Sequence, residues 1–195
     1  NLKTGKNMFY DAKDKYGLSP IAKSYMAGIL KHARAMIAVL APTVNSYKRL
    51  VPGYEAPTYL VWGRRNRSAL IRVPMISAGR SVEATRMELR CPDPSANPYL
   101  AFAVMIAAGL DGVRTNADPG KRYDIDMYQQ GHLVKGAPKL PLNLLDALRE
   151  YDKDKTLKAM MGEEFSTAFI KLKTREWNSY ASHFSAWENE NTLDI

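Results

Sequence analysis

Arginine is concentrated in one stretch of the sequence that contains no lysine. Its members are Arg64, Arg65, Arg67, Arg72, Arg80, Arg86 and Arg90. Solvated basic surfaces usually contain lysine as well, whereas the planar guanidinium group alone suits bidentate binding of carboxylates and phosphates. The stretch therefore predicts a site for small anions.

Glu88 lies in this stretch, where its carboxylate would face two guanidinium groups. Residues 85–90 alternate polar and apolar side chains with the period of a β-strand, which places Arg86, Glu88 and Arg90 on one face. Such a glutamate is either the partner in a structural ion pair or a metal ligand facing a phosphate site. The spacing alone favours the ion pair, because pairing is the usual way to bury a carboxylate.

A loop and a turn must bring further residues to the same place. Residues 42–57 are rich in proline, which disfavours helix and central strand and predicts a long ordered loop. Thr58 to Trp62 and Ala69 to Ile76 have the composition of strands, joined by a polar turn over residues 63–68. These elements would form a strongly cationic pocket lined by Lys48, Arg49, Glu55, Arg67, Arg72, Glu88 and Arg90.

Helices are expected on both sides of these strands. Ser19 followed by Pro20 is typical of a helix start, and apolar residues then recur at steps of three and four until Pro42. His32 lies on the apolar stripe of this helix and is expected to be a satisfied core histidine, not a ligand.

A second helix is predicted to begin with Asn97 as its cap and Pro98 at its first position. Tyr99 to Leu110 is so apolar that we expect this helix to be largely buried and to end at Gly109 and Gly112.

The remainder is expected to be a loop followed by further helices. Residues 115–139 are rich in turn residues and predict a surface loop. Residues 142–188 have helical periodicity with breaks near Asp152 and Gly162. An aromatic stripe on the last helix is expected to pack against other residues and not to bind a cofactor. Its members are Trp177, Tyr180, Phe184 and Trp187.

Composition bounds the class of protein. The chain has 195 residues, 46% of them hydrophobic, which suits one domain with its own core, and its formal net charge of +8 favours anionic partners. Cys91 is the single cysteine, so no internal disulfide forms and a reducing, cytoplasmic setting is expected. Neither a secretory leader nor a membrane span is indicated, and the polar start without methionine suggests a fragment or a processed piece.

Three sequence blocks resemble the glutamine synthetases, in particular the C-terminal catalytic portion of type I-like members. The blocks are NSYKRLVPGYEAP at residues 45–57, NRSALIRVP at 66–74 and RMELRCPDPSANPYLA at 86–101, in family order. The similarity covers most of residues 1–115, weakens up to Lys139 and returns in the C-terminal helices.

The resemblance implies an α+β catalytic domain in which an antiparallel sheet forms part of a barrel-like active site with flanking helices. Residues 1–138 would be the catalytic portion, with a flap loop at 42–57 and the strands for ATP, glutamate and metal at 58–92. Residues 139–195 would be a C-terminal helical segment of the same domain.

The implied activity is ATP-dependent ligation of ammonia to L-glutamate through a γ-glutamyl phosphate intermediate, giving glutamine, ADP and phosphate. ATP would be the co-substrate, and two or more Mg²⁺ or Mn²⁺ ions would serve each site of the full enzyme. The implied assembly is a homo-oligomer, a dodecamer of two hexameric rings held by the C-terminal helix. Neither a nucleic acid nor a membrane is an expected partner.

By resemblance, each arginine of the pocket has a role. Arg49 and Arg90 would bind the glutamate substrate. Arg67 would contact the transferring phosphoryl group, which makes it a catalytic residue as well as a binding residue for glutamate and ATP. Arg72 would contact the ATP phosphates.

The resemblance also gives roles to two glutamates. Glu55 in the flap would bind substrate, attract ammonium, accept a proton and exclude water, and Glu88 would bind a divalent metal ion. Glu83 departs from the family, which often has a lysine five positions before the metal-binding glutamate, so no ATP role is expected for it. The other metal ligands of the family lie upstream of residue 1, so this chain alone is expected to be incomplete and inactive.

Alternatives of other classes are weighed on the same residues. A γ-glutamyl-amine ligase, for example of glutamate and putrescine, would share the arginines and differ in the amine side of the pocket. A non-catalytic relative would be expected to lose Glu55 or Glu88, and both are present. In one branch of the family a tyrosine is adenylylated, but the sequence around Tyr123 and Tyr128 matches that motif poorly and predicts ordinary surface tyrosines.

Overall fold

The computed structural model describes residues 1, 3–51, 53–54, 56–77 and 79–192. This part of the chain forms eight α-helices and three short strands. The helices are α1 (Pro20–Leu40), α2 (Ser81–Ala84), α3 (Pro98–Arg114), α4 (Met127–Gln130), α5 (Leu144–Lys153), α6 (Lys155–Met161), α7 (Glu163–Ala181) and α8 (Ala186–Thr192). The strands are β1 (Trp62–Arg64), β2 (Ile71–Val73) and β3 (Glu88–Leu89).

Helix α1 lies at the centre of the hydrophobic core and begins as predicted. The Ser19 hydroxyl accepts a hydrogen bond from the backbone N–H of Ala22 at 3.1 Å, and Pro20 occupies the first turn. Most of the helix from Met26 onward is buried, and it packs against both α3 and α5.

Helices α1 and α3 approach each other through glycines. A Cβ atom built on Gly28 would lie 2.1 Å from the carbonyl oxygen of Ala108, and one on Gly112 would lie 2.1 Å from that of Ser24. The prediction that α3 ends at Gly109 and Gly112 is therefore wrong. These glycines allow close helix packing within a helix that continues to Arg114.

The expectation that α3 is largely buried is also wrong for this chain. Its buried face consists of Val104 and small residues, whereas Tyr99 is 83% exposed and Phe102 and Ile106 are also exposed. The helix is apolar on two faces, and only one of them meets the core described here.

His32 is a satisfied core histidine, as expected. Its ring is 3% exposed, with Nδ1 2.5 Å from a carboxylate oxygen of Asp154 and Nε2 2.9 Å from one of Asp111. Burial by itself would lower the pKa of His32, but the hydrogen bonds and charges of Asp154 and Asp111 outweigh it and raise the pKa above the usual 6.5. The imidazolium thus joins α1 to α3 and to the α5–α6 junction.

The C-terminal helices break where the sequence indicates, with one addition. Asp154 separates α5 from α6, and Gly162, at a φ of 96°, separates α6 from α7. The last predicted helix is interrupted between Ala181 and Ala186, so the aromatic stripe spans two helices.

The aromatic side chains of that stripe have different surroundings. Trp177 packs against the core with its ring 5.7 Å from that of Tyr180. The side chains of Tyr180, Phe184 and Trp187 are exposed, so the expected packing is observed for Trp177 alone among the four.

The sheet is small and mixed. Strand β1 pairs with β2 in parallel, and β2 pairs with β3 antiparallel, so the expectation of an antiparallel sheet is wrong for the first pair. In the described part of the chain the three strands form an open sheet, and a barrel is not observed. The helices and this mixed sheet agree with the α+β class.

The first strand begins later than predicted. The backbone around Tyr59 is extended but pairs with the segment around Lys139, where Leu60 N–H donates to the Pro138 carbonyl at 2.8 Å. The predicted loop at 42–57 contains a 3₁₀ helix, Val44–Lys48, closed by reciprocal hydrogen bonds between Thr43 and Ser46. Among the described residues, no helix is long and apolar enough to cross a bilayer.

Candidate active site

Glu88 lies between two arginines in a group that we call the arginine cluster, formed by Arg49, Arg67, Arg72 and Arg90. In the β2–β3 register Arg72 is opposite Glu88, and the Arg72 guanidinium donates to Oε2 of that glutamate. Arg90, two residues further along the chain, donates from Nε to Oε1 at 3.1 Å. The ion pair that the spacing favours is thus present, because strand alternation puts Glu88 and Arg90 on one face.

Three arginines of this cluster retain hydrogen-bond donors that are buried and unpaired among the described residues. They are Nε of Arg49, Nε of Arg72 and Nη1 of Arg90. A buried donor left without an acceptor costs about 1–3 kcal/mol, so such groups normally have an acceptor in the functional state. Their concentration on arginines indicates that the missing acceptor is anionic.

Arg49 attaches the loop to the strand region. Its Nη2 donates to the backbone carbonyls of Cys91 at 2.7 Å and Pro92 at 2.9 Å, which places the guanidinium beside the end of β3. Both acceptors are neutral, so the positive charge of Arg49 remains available. Burial raises the pKa of the Cys91 thiol to about 12, against the opposing influence of Arg49, so this cysteine is a neutral core residue.

Next to the ion pair lies an open cleft of about 350 Å³ with an arginine-rich lining. The residues that line it are Arg65, Arg67, Arg72, Pro74, Met75 and Arg86. No carboxylate is among these lining residues, so the cleft carries a concentrated positive potential. No role was predicted for Arg65 and Arg86, although both belong to the lysine-free arginine stretch, which could have indicated them.

Arg67 is exposed at the cleft. Its guanidinium has no hydrogen bond or ion pair to any residue that the structure describes. Its backbone carbonyl accepts a hydrogen bond from the hydroxyl of Tyr128 at 3.4 Å. The side chain is therefore available to a ligand.

Tyr128 belongs to the cluster and is not the ordinary surface tyrosine that was expected. It is partly buried, and it is hydrogen-bonded to Arg90. Burial raises the pKa of the phenol, while Arg90 and Arg49 act in the opposite direction. The ring thus links the segment after Asp126 to the arginines. Tyr123, in the same segment, is partly buried, and Nζ of Lys121 lies 5.5 Å from the centre of its ring.

The structure brings together Arg49, Arg67, Arg72, Glu88 and Arg90. Glu55, the predicted flap carboxylate, lies outside the described residues. Glu83, whose family counterpart is often lysine, is 78% exposed and does not line the arginine cleft.

The described residues can supply only part of a divalent metal site. Mg²⁺ takes six oxygen ligands, several of them often water, and the described part of the chain holds no group of three or more His, Cys, Asp or Glu residues close enough to bind a metal. Glu88 fits as one such ligand, because its side chain is 38% exposed and each oxygen has a lone pair beyond the one that faces an arginine.

Comparisons with known proteins agree with the sequence blocks. The family model described as glutamine synthetase, catalytic domain, matches residues 1–192. A glutamine synthetase of Rhizobium leguminosarum bv. phaseoli is 52% identical over 195 residues, which is 97% of this chain and 43% of the relative. One of Pyrococcus woesei is 49% identical over 184 residues, which is 93% of this chain and 40% of the relative.

Solved structures give the same result. A ligand-free GmaS structure superposes with a TM-score of 0.85 at 44% identity, covering 97% of this chain and 42% of that one. A complex of GmaS with ADP has the same TM-score at 45% identity, covering 97% of this chain and 43% of that one. The chain spans less than half the length of the curated relatives it matches. This chain belongs to the glutamine synthetase catalytic-domain family.

Proposed function

We propose that the whole protein joins ammonia to the side-chain carboxylate of L-glutamate at the expense of ATP. The observation that supports this most directly is the set of buried, unpaired guanidinium nitrogens on Arg49, Arg72 and Arg90. Glutamate, ATP and an acyl phosphate are all anions with planar or tetrahedral oxygen groups, which such donors bind.

The arginines divide by position into two groups. Arg49 and Arg90 lie where the loop meets the end of β3 and would bind the carboxylates of glutamate. Arg67 and Arg72 line the cleft and would contact the phosphates of ATP. As the γ-phosphoryl group passes to the glutamate oxygen, charge shifts between the oxygens, and Arg67 would stabilise that charge because it is already in place.

The second step forms the amide bond. The ammonia nitrogen attacks the carbonyl carbon of γ-glutamyl phosphate, the bond between that carbon and the phosphate oxygen breaks, and inorganic phosphate leaves. The nitrogen sheds one proton, which we assign by resemblance to Glu55. A carboxylate there would also favour ammonium over neutral competitors and limit the entry of water; bound ammonium would first lose a proton to solvent to give the attacking ammonia.

Glu88 would hold a divalent cation, Mg²⁺ or Mn²⁺, together with ligands supplied from outside the described residues. When bound, such an ion neutralises phosphate charge and orients the nucleotide. Arg72 and Arg90 hold the Glu88 carboxylate in position, so its approach to a metal is fixed by the sheet.

Assembly into a dodecamer of two hexameric rings is part of the proposal. The exposed aromatic side chains of Phe184 and Trp187 support an interface near the end of the chain. Light scattering of the intact protein tests this, since a mass below that of two hexameric rings would contradict it.

The decisive experiment measures products with the intact enzyme. With glutamate, ATP, Mg²⁺ and ammonium, glutamine and phosphate should appear in equal amounts, and replacing ammonium by methylamine or putrescine should give a lower kcat/KM. A preference for a larger amine would assign the γ-glutamyl-amine ligase alternative instead. Phosphate release without any amide product would contradict both.

The variant Glu55→Ala tests the ammonia step separately. Both proposed jobs of Glu55 come after phosphoryl transfer, so glutamate-dependent phosphate release should persist while the ratio of glutamine to phosphate falls about tenfold or more. A parallel fall of both products would show instead that Glu55 only helps to close the flap.

A further inference from the structure

The amide side chain of Asn66 is saturated with hydrogen bonds. Its Nδ2 donates to the backbone carbonyls of Tyr123 at 2.9 Å and Ile125 at 2.7 Å. Its Oδ1 accepts from the backbone N–H of Ser68 at 2.9 Å and from the Ser68 hydroxyl at 2.6 Å. Two donors and two lone pairs are the full capacity of an amide side chain, so every one of them is in use.

These bonds connect two segments that are distant in sequence. One is the turn between β1 and β2, and the other is the backbone from residue 123 to residue 127. Tyr123 N–H also donates to the Trp62 carbonyl at 2.8 Å, and Met127 N–H donates to the Ser68 hydroxyl at 2.7 Å. Asn66 lies between these two bonds and completes the attachment.

The two segments lie so close together at Gly63 that no side chain fits between them. A Cβ atom built on Gly63 would be 2.2 Å from the Tyr123 carbonyl oxygen and 2.8 Å from Cβ of Asn66. The backbone of the turn is therefore held against the 123–127 segment by packing as well as by hydrogen bonds.

Arg67 follows Asn66 directly and depends on this attachment for its direction. No hydrogen bond or ion pair to a described residue holds its guanidinium, so its aim into the arginine cleft is set by its own backbone. That backbone is tied at both sides, through Asn66 and through the Tyr128 hydroxyl on the Arg67 carbonyl. We infer that Asn66 is a positioning residue, which fixes the turn that aims Arg67 into the cleft and acts on the bound phosphate only through Arg67.

Asparagine is the side chain that suits this position. Aspartate keeps the acceptor but cannot donate, so its carboxylate would face the carbonyl oxygens of Tyr123 and Ile125 without a proton between them. Alanine removes all four bonds and leaves those carbonyls to water. Small displacements of a group that contacts reacting atoms reduce rate steeply, so the effect should be visible in kinetics before it is visible in stability.

The activity part of the test rests on the proposed function. In the intact enzyme, Asn66→Ala should lower kcat about tenfold or more, with a smaller effect on the KM for glutamate. In an Arg67→Ala background the same change should lower kcat by less than about twofold, because the residue through which Asn66 acts is already gone. Equal losses in the two backgrounds would overturn the inference.

Asn143→Ala serves as the matched control. Asn143 caps α5 by accepting a hydrogen bond from the Asp146 N–H at 2.9 Å. Like Asn66→Ala, Asn143→Ala removes an asparagine that stabilises the fold, but it leaves the arginine cleft unchanged. We expect kcat to be unchanged in this variant. If Asn143→Ala lowers kcat as much as Asn66→Ala does, the effect of Asn66 is one of general stability and the inference fails.

Calorimetric titration of the same variants with a non-hydrolysable ATP analogue, which keeps the γ-phosphoryl group, needs no product formation and separates the inference from the proposed function. Asn66→Ala should weaken binding of this analogue about threefold or more in the parent enzyme and leave it unchanged in the Arg67→Ala background. This result would stand even if the enzyme made no glutamine. Where Asn66→Ala does not fold, Asn66→Ser, which retains one hydroxyl, is measured in its place, and affinity for the analogue equal to that of the parent would overturn the inference.

Discussion

The helical core and the arginine-rich region differ in whether their charged groups have partners within the chain. In the core, His32 lies between Asp111 and Asp154, and Lys31 donates to Asp111 at 2.7 Å, so each buried charge has a partner in the chain. Around Glu88, buried nitrogens of Arg49, Arg72 and Arg90 have no acceptor among the described residues, and the neighbouring cleft is lined by arginines without a carboxylate. The core uses its polar groups for its own stability, whereas the arginines retain donors for a ligand.

The same contrast holds for packing. Helices α1 and α3 are in backbone contact through Gly28 and Gly112, while the sheet that carries the arginines has strands of only two or three residues. A sheet this small is not stable by itself, so the helices must hold it in place. Substitutions in the two regions should therefore separate stability from binding.

The largest effect is expected from Gly112→Ala. The added methyl group would lie 2.1 Å from the Ser24 carbonyl oxygen, so α1 and α3 must move apart, at a cost of about 3 kcal/mol or more. Thermal unfolding should show a fall in Tm of about 10 °C. Ala103→Ser, at an exposed position of the same helix, should cost only about 0.5 kcal/mol. An unchanged Tm for Gly112→Ala would mean that the two helices do not touch as described.

Arg90→Ala tests the other side of the comparison. Loss of a charge-assisted contact to the substrate carboxylate should raise the KM for glutamate about 100-fold, with a small change in Tm, because Arg90 lies outside the helical core. Arg34→Ala removes an arginine of α1 that is paired with Glu150 of α5, and it should leave the KM unchanged. Equal KM values for both variants would remove Arg90 from the substrate site.

His32→Gln should lower the free energy of unfolding by about 2 kcal/mol, in a manner that depends on pH. Because folding raises the pKa of His32, its contribution is complete below about pH 6.5 and declines as pH rises through the folded value. Folding lowers the pKa values of Asp111 and Asp154, so their contribution declines as pH falls below about 4.

Urea unfolding at several pH values measures this dependence. The difference between parent and His32→Gln should be widest between about pH 5 and pH 6.5 and narrower at about pH 9. His132→Gln, at an exposed histidine, should show no such difference. A constant gap across the range would mean that His32 is not held as an imidazolium.

The smallest effect is expected from Glu83→Lys. Glu83 lies 3.9 Å from Arg80, and both side chains are largely exposed, so the pair contributes at most a few tenths of a kcal/mol. Unfolding free energy should stay within about 0.5 kcal/mol and the KM for ATP within about twofold of the parent. A much lower KM for ATP would mean that this position reaches the nucleotide, as lysine is expected to do in many relatives.

Local chemistry explains which parts of the fold were predictable. The caps Ser19 and Asn97 act on residues within one turn, so the starts of α1 and α3 follow from the sequence alone. The ends of α3 and β1 depend on partners elsewhere in the chain. From the sequence alone, Gly112 indicates the end of a helix, and only its contact with α1 shows that the helix continues. The backbone near Tyr59 pairs with the segment around Lys139 and not with the sheet.

The candidate site divides in the same manner. The pairing of Glu88 with Arg90 follows from strand alternation, and a shared pocket for Arg49 and Arg67 was predicted from the proline-rich loop and the polar turn. The role of Asn66 was not predicted, because its acceptors lie 57 and 59 residues away and nothing near it in the sequence indicates them.

The distance between Asn66 and its acceptors has a consequence for synthesis of the protein. At about 5–20 residues per second, a ribosome adds the Ile125 carbonyl roughly 3–12 seconds after it has added Asn66. The helices that complete the core, α5 to α7, are added later still. Neither the core nor the attachment of the turn around Arg67 is therefore complete while residues 67 to 125 are being added, and a chain stalled in that interval would lack both.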